Sequence, residues 1–567
     1  MRTLVHWLNS AAGVLAVLMV AGCSRDLSGP AVDPVRTSSL SLIQGVGTVD
    51  IQDIRGVEVG LPPEPRSWDT STVALRDTIV GADGHAVIAI KARGSRRTLE
   101  SGNRASVNKE VILEGLDLLR TRGVEILDYY DKIGLVHVRI DPAQADSLVP
   151  FLAASPIIDF VEPAQVVPLA ASRASVPPVA SVRAQTTPWG ITMVRAPEAW
   201  SITSGAGVKI KIIDSGHEQG HEDLPLVPTI NCSGYYGGCD DGPNANGEWH
   251  GTHVFGILAA RNNGLGVVGV APNVSDADVF YAGACASSGG CSTTEVALGI
   301  NQAITDNARV VSMSIAGNFD GGIATAVATA WAGNIVIVAA AGNNTNTCTV
   351  CYPAALPNVI GVSGVKDTKG FADSSPCYGS PYSRSGSHVD LAAPFWAYST
   401  EGGNGYATYC GTSMATPHVA GAAALLRAYY PSWSNSQVVN RLYNTSQDLG
   451  TAGRDNYYGY GLVDAALAFG IRGASDDYPD GNITGPTQVH PEGVCQWVGT
   501  AQHGIRPYAS YQWYVGTTLV GTGQNLTIIE PGYSNFYLDL KVTDADGGVG
   551  WESRYIVINT QSNQCPH

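Results

Sequence analysis

The sequence comprises 567 residues with a formal net charge of −16 at pH 7, 14% charged residues and 66 glycines. It is too long for a single hydrophobic core, so three or four domains of roughly 150 residues are expected. The acidic balance, with no DNA- or RNA-binding motif and no internal repeat, excludes a nucleic-acid binder and suits a secreted protein rich in small residues.

In chain order, the first 22 residues carry a basic residue at Arg2, an apolar stretch from Ala11 to Val20, and then Val20-Ala21-Gly22-Cys23. The pattern resembles a bacterial lipoprotein signal over residues 1–23, which implies that Cys23 is lipidated and becomes the new N-terminus. An ordinary secretory signal cut nearby is the alternative, and the apolar stretch is short for a transmembrane anchor. Ten further cysteines form an even set, as an oxidising compartment favours. Cys232 with Cys239, Cys285 with Cys291 and Cys495 with Cys565 are candidate pairs, whereas Cys348, Cys351, Cys377 and Cys410 can combine in three ways. Zinc is the competing reading for Cys348 and Cys351, but no His-rich partner follows at finger spacing.

Residues 24–84 form a linker to which no structure is assigned. A compact unit follows over 85–167: strand His85 to Ala92, a helix near Ala105 to Thr121, strands Val124 to Tyr130 and Gly134 to Ile140, a second helix and strand Ile157 to Val161. The second helix opens at Asp141-Pro142, an acidic cap with proline at the first position. This β-α-β-β-α-β order predicts a ferredoxin-like α+β sandwich. The Pro/Ala/Ser/Val-rich residues 168–183 read as an exposed, cleavable linker. Over 184–472 strands alternate with helices: strand Val208 to Asp214, helix Thr293 to Ala308, strand Val310 to Ile315, helix Ile323 to Asn334, strand Ile335 to Ala341. Continuous apolar strands in that alternation predict an α/β three-layer sandwich with a parallel sheet. An Asp/Gly/Pro linker at 473–485 leads to residues 486–567, where Phe536, Leu538, Leu540 and Val542 alternate with polar residues. That region reads as an all-β, immunoglobulin-like sandwich stapled by Cys495 and Cys565, and its role is not legible.

The stretch Gly411-Thr412-Ser413-Met414-Ala415-Thr416-Pro417-His418-Val419-Ala420-Gly421 sets a serine at the mouth of an apolar helix, with Pro417 assigned to the first turn. Ser413 is read as a nucleophile; its alternative is a plain helix cap. A serine hydroxyl needs a base, and the base an orienting carboxylate. Asp214, in Ile213-Asp214-Ser215-Gly216, ends a strand, where ligands gather in open α/β sheets. His250, in His250-Gly251-Thr252-His253-Val254, opens another helix beside small residues. Alone, Asp214 could be a helix cap or a loop ligand and His250 a satisfied core histidine. Their order with Ser413 is Asp, His, Ser, and no G-x-S-x-G elbow surrounds Ser413.

These three motifs together resemble the catalytic domain of subtilisin-like serine peptidases over about 184–470. The resemblance implies that His250 is the base, Asp214 its orienter, and Asn343, in Ala340-Ala341-Gly342-Asn343, an oxyanion-hole donor with the Ser413 backbone N–H. It implies that Ser314, Ile315 and Ala316 wall the primary substrate pocket opposite Ala340, Ala341 and Gly342. Ala316 stands where the family usually has glycine, which either narrows that pocket or shifts the bound strand, and neutral Asn344 offers nothing to a basic side chain, so apolar substrates are expected. Structural Ca2+ is implied at Gln185, Asp223 and Asn263 with the carbonyls of Arg261, Leu265 and Val267. Residues 85–167 resemble an inhibitory propeptide. The expected protein is therefore a secreted or envelope-associated monomeric zymogen acting on protein or peptide substrates. It touches a membrane only through the lipid on Cys23 and sheds that anchor on cleavage between Ala170 and Gln185. A non-enzymatic scaffold is the contrasting reading, against which all four catalytic positions are retained.

Overall fold

The computed structural model describes residues 84–91 and 109–565 with gaps, the longest being 174–178, 231–248 and 285–289. Cys23, the 24–83 linker, Cys232, Cys239 and Cys285 lie outside the described residues. Among the described residues no helix is long and apolar enough to cross a membrane.

The N-terminal unit is a four-stranded antiparallel sheet ordered Glu125–Tyr130, Leu135–Arg139, His85–Ile90, Ile158–Pro163. Helix Lys109–Thr121 turns Val111, Ile112, Leu116 and Leu119 onto one face, where they meet Ile88, Ile90, Val136 and Val138. Helix Pro142–Ala153 begins as its sequence dictates: the Asp141 carboxylate accepts from the Ala143 N–H at 3.0 Å, and proline fills the first turn. The other face of the sheet supplies Val87, Ala89 and Leu135 to a cluster shared with helices Thr293–Thr305 and Gly321–Ala332 of the next unit.

That next unit is built on seven parallel strands in the order Leu391–Pro394, Val359–Val365, Val336–Ala340, Val310–Met313, Ile210–Asp214, Val279–Gly283, Thr229–Ile230. Successive strand residues point to opposite faces, and both faces are apolar. Ile210, Ile212, Val310, Val336 and Val338 face helices His250–Ala259 and Thr412–Tyr429. Ile213, Val311, Met313, Ile337 and Ala339 face Thr293–Thr305 and Gly321–Ala332. Both of the latter helices stop before their expected ends, because Asn307 (φ 58°) and Asn334 (φ 65°) turn left-handed just past them. Helix Gly321–Ala332 also starts earlier than expected, since Asp320 caps it by accepting from the Ile323 N–H at 2.8 Å.

The C-terminal unit has a three-stranded sheet (Asp480–Thr484, Val494–Gln502, Asn525–Ile529) and a five-stranded one ordered Gln488–Val489, Val549–Ile558, Phe536–Thr543, Ser510–Val515, Thr518–Thr522. Leu538, Leu540 and Val542 point inward with Trp497 and Trp513 around the Cys495–Cys565 disulfide. The Arg506 guanidinium fastens this unit to the parallel-sheet unit by donating to the carbonyls of Tyr443 (2.8 Å) and Tyr460 (2.6 Å) and to Ser446 Oγ (2.9 Å). Arg472 and Asp544 add a buried ion pair at 2.7 Å.

Candidate active site

Strand Gly405–Cys410 runs straight into helix Thr412–Tyr429, so Ser413 is fixed as the second helical residue at the positive end of a buried helix. Pro417 falls in the second turn, not the first as expected, because the helix already begins at Thr412. A proline there removes the N–H that would bond the Ser413 carbonyl. The Ser314 hydroxyl takes its place, donating to Ser413 O at 2.8 Å, while Ser413 Oγ donates to Ser314 O at 2.9 Å. The two serines thus lock the ends of two elements together.

Asp214 closes the central strand, and His250 opens the neighbouring helix. His250 Nδ1 lies 2.6 Å from Asp214 Oδ1, which also accepts from the Ser215 N–H at 2.7 Å. An acceptor carboxylate at Nδ1 places the imidazole proton there and leaves Nε2 as the free base. Nε2 is buried and has no partner among the described residues. His253, one turn on, stacks on Tyr409 with ring centroids 4.3 Å apart and meets the Ala407 carbonyl. Burial pushes its pKa down to about 3, so it stays a neutral core residue.

Asn343 follows the strand Val336–Ala340. Its Oδ1 accepts from Thr412 N–H at 3.0 Å and from Thr412 Oγ1 at 3.1 Å, which orients the amide and leaves buried Nδ2 without a partner among the described residues. An amide donor held beside Ser413 with nothing to donate to is what a developing oxyanion needs. Residues that the sequence did not single out hold this loop. Arg384 donates to Asn343 O (3.0 Å) and Asn346 O (2.9 Å), and Asn346 Oδ1 accepts from the Asn343 N–H (2.6 Å). None carries a local motif; only their convergence on one loop reveals them.

Ser314, Ile315 and Ala316 continue one central strand, and Ala341 and Gly342 the next, beyond Ala340. The cleft they border holds the chain's own residues. Val166–Pro168 pairs antiparallel with Gly290–Ser292, Leu169 pairs with Ile315, and the Ala316 N–H donates to Pro168 O at 3.2 Å. On the far side of Ser413, Ser172 pairs with Cys410 and Arg173 with Tyr409. Pro168 and Leu169, expected in an exposed linker, are therefore partly buried in a β-paired segment.

The residues expected around a cation divide in two. Gln185 Nε2 lies 2.6 Å from Arg261 O and 3.1 Å from Val267 O, and Asp223 Oδ2 accepts from the Val267 N–H at 2.8 Å. Asn263 and Leu265 instead pair with each other, through Asn263 Oδ1 and the Leu265 N–H at 2.9 Å. Among the described residues no group of three His, Cys, Asp or Glu could hold a metal. What the loop offers is one carboxylate among amide and carbonyl oxygens, a hard-cation donor set. Asp223 Oδ1 is buried without a partner among the described residues, and burial raises the Asp223 pKa to about 7. The donor set and that orphan oxygen fit calcium.

The open cysteine question is resolved as Cys348–Cys351 and Cys377–Cys410, and Cys495–Cys565 forms as expected. Cys291 is also disulfide-bonded.

Comparison with known proteins matches residues 205–461 to the subtilase family. Subtilisin E of Bacillus subtilis (strain 168) is 38% identical over 296 residues, covering 51% of this chain and 73% of that protein. Subtilisin of Bacillus pumilus is 38% identical over 291 residues, covering 50% and 99%. Alkaline elastase YaB of Bacillus sp. (strain YaB) is 35% identical over 355 residues, covering 61% and 82%.

Proposed function

The chain belongs to the subtilase family and is a subtilisin-like serine endopeptidase, and on that footing we propose that it is made as a zymogen whose first substrate is itself. One observation carries this reading: residues of the same chain occupy the cleft on both sides of the nucleophile. Leu169 lies opposite Ile315 and Ser172 opposite Cys410, which brackets the proposed cut between Leu169 and Ser172. Extended main-chain pairing of this kind is how peptidases hold substrates.

For reaction, the Ser413 hydroxyl turns from Ser314 O to His250 Nε2, which takes its proton as Oγ attacks the carbonyl carbon. Asp214 stabilises the imidazolium, and Asn343 Nδ2 with the Ser413 N–H receives the oxyanion. The tetrahedral adduct collapses as the C–N bond breaks, and His250 returns the proton to the departing amine. Water, deprotonated by the same histidine, then hydrolyses the acyl-enzyme.

Residues 85–167 serve as the inhibitory propeptide. The Cys23 lipid lies upstream of the cut, so processing releases a monomeric, secreted enzyme that acts on protein or peptide substrates. The C-terminal unit is an immunoglobulin-like appendage. Calcium, held by Gln185, Asp223, Asn263 and the carbonyls of Arg261, Leu265 and Val267, stabilises the fold and takes no part in the chemistry. Fluorophosphonate labelling and mass mapping test the proposal. Wild type should label and begin at a residue from Ala170 to Ser172, and Ser413→Ala should stay uncut and unlabelled. Active material with Cys23 still joined to Ser413 refutes processing, and unlabelled processed protein refutes the enzyme.

A further inference from the structure

The walls of the primary pocket end on a feature that neither the triad nor the propeptide uses. Cys348 and Cys351, joined to each other, form a closed apolar cluster with the wall residues Ala316 and Ala340. Gly342 (φ 95°) comes so close that a Cβ added to it would stand 2.6 Å from Cys351 Sγ and 3.4 Å from Ala316 Cβ. The sulfur therefore sits directly against the backbone of one wall and within reach of the other. The segment is pinned there: Gly317 and Tyr352 exchange both backbone hydrogen bonds (2.9 and 2.8 Å), and Asn346 Nδ2 donates to Ala316 O at 3.3 Å.

We propose that the Cys348–Cys351 disulfide is the floor of the primary specificity pocket, and that it restricts the enzyme to substrates with a small side chain, alanine above all, before the scissile bond. The proposal rests on the reading of Ser314–Ala316 and Ala340–Gly342 as pocket walls. Deepening such a pocket for an aromatic ring would mean moving a covalently closed, doubly hydrogen-bonded segment, and close-packed interiors resist even added methylenes. The wall residues Ser314–Ala316 and Ala340–Gly342 carry no charge for a basic side chain, and neutral Asn344 has its Oδ1 taken by the Tyr382 N–H at 2.8 Å.

The test compares peptide p-nitroanilides that differ only in the residue before the scissile bond, using processed enzyme already shown to label with a fluorophosphonate. That first step separates a failure of the peptidase reading from a failure of the pocket. kcat/KM for Ala should exceed that for Phe and for Lys at least tenfold. In Cys348→Ser with Cys351→Gly, the Phe-to-Ala ratio should rise at least tenfold. If glycine prevents folding, Cys348→Ala with Cys351→Ala should shift the ratio the same way by less. A labelled wild type that prefers Phe, Leu or Lys overturns the proposal, and so does a folded double variant with an unchanged ratio.

Discussion

Replacing Ser314 by alanine should loosen the turn that carries the nucleophile, and the proline downstream should determine by how much. Pro417 has no N–H, so Ser413 O depends on the Ser314 hydroxyl at 2.8 Å, and both serines are fully buried. Deleting the hydroxyl leaves a buried carbonyl without a partner, a loss of about 1–3 kcal/mol. For a unit of this size about 2–4 °C accompanies each kcal/mol, so the apparent Tm should fall by about 2–12 °C. The measurement is calorimetry at one scan rate in the Ser413→Ala background, where autolysis cannot shift the transition. Pro417→Ala supplies the control. It returns an N–H to the helix four residues after Ser413, so the cost of Ser314→Ala should shrink, with a coupling of roughly 0.5–3 kcal/mol in the double variant. Equal losses with and without Pro417, or no loss at all, would refute the reasoning.

Asn343→Leu should lower kcat by about 10²–10³ with little change in KM, because Nδ2 is left free for the transition state; the size of the loss is the one known for the corresponding asparagine of subtilisin. A calcium chelator should lower the Tm of both the processed enzyme and the uncut Ser413→Ala precursor, and an unchanged Tm in both would exclude the cation. Glu162 of the N-terminal unit, the proposed propeptide, accepts from the Gly321 and Gly322 N–H groups at 3.1 and 2.7 Å, and its pKa is raised by burial first and by the Asp320 charge second. A carboxyl raised in the complex contributes fully below its ordinary range near 4.5 and loses that contribution as pH climbs through neutrality towards the raised value. Cut propeptide should therefore leave faster at pH 9 than at pH 6, read as the rate at which activity appears, and Glu162→Gln should flatten that dependence.

Asp214, His250 and Ser413 stand out in the sequence because each sits in a short local motif at an element boundary: Asp214 at a strand end, His250 and Ser413 at helix starts. The parallel sheet was legible because its strands are apolar on both faces. What escaped was everything set by contacts between distant segments. Cys377 and Cys410 are 33 residues apart, and no spacing rule selects their bond. Arg384 holds the Asn343 carbonyl from a distant loop and carries no local signal, and Thr412, although inside the serine motif, gives no sign in the sequence that it orients the Asn343 amide. Pro168 and Leu169 read as linker because a strand that borrows both partners from another unit has no core face of its own to give it a pattern. Pro417 was misplaced because the helix starts inside the motif, and its missing donor is replaced by a serine from a strand far upstream.

The same long-range pairings bear on how the precursor works. Leu169 is already opposite Ile315, and Thr186 already bridges Val267, with Gln185 Nε2 against the Arg261 and Val267 carbonyls, in one uncut chain. On the proposed reading, cleavage would act on a fold in which these pairings already stand, and would change only the covalent tie between residues 85–167 and the parallel-sheet unit. Contacts such as that of Glu162 with the Gly321–Ala332 helix would then hold the two by equilibrium alone, and the pH dependence of those contacts would set the rate of release.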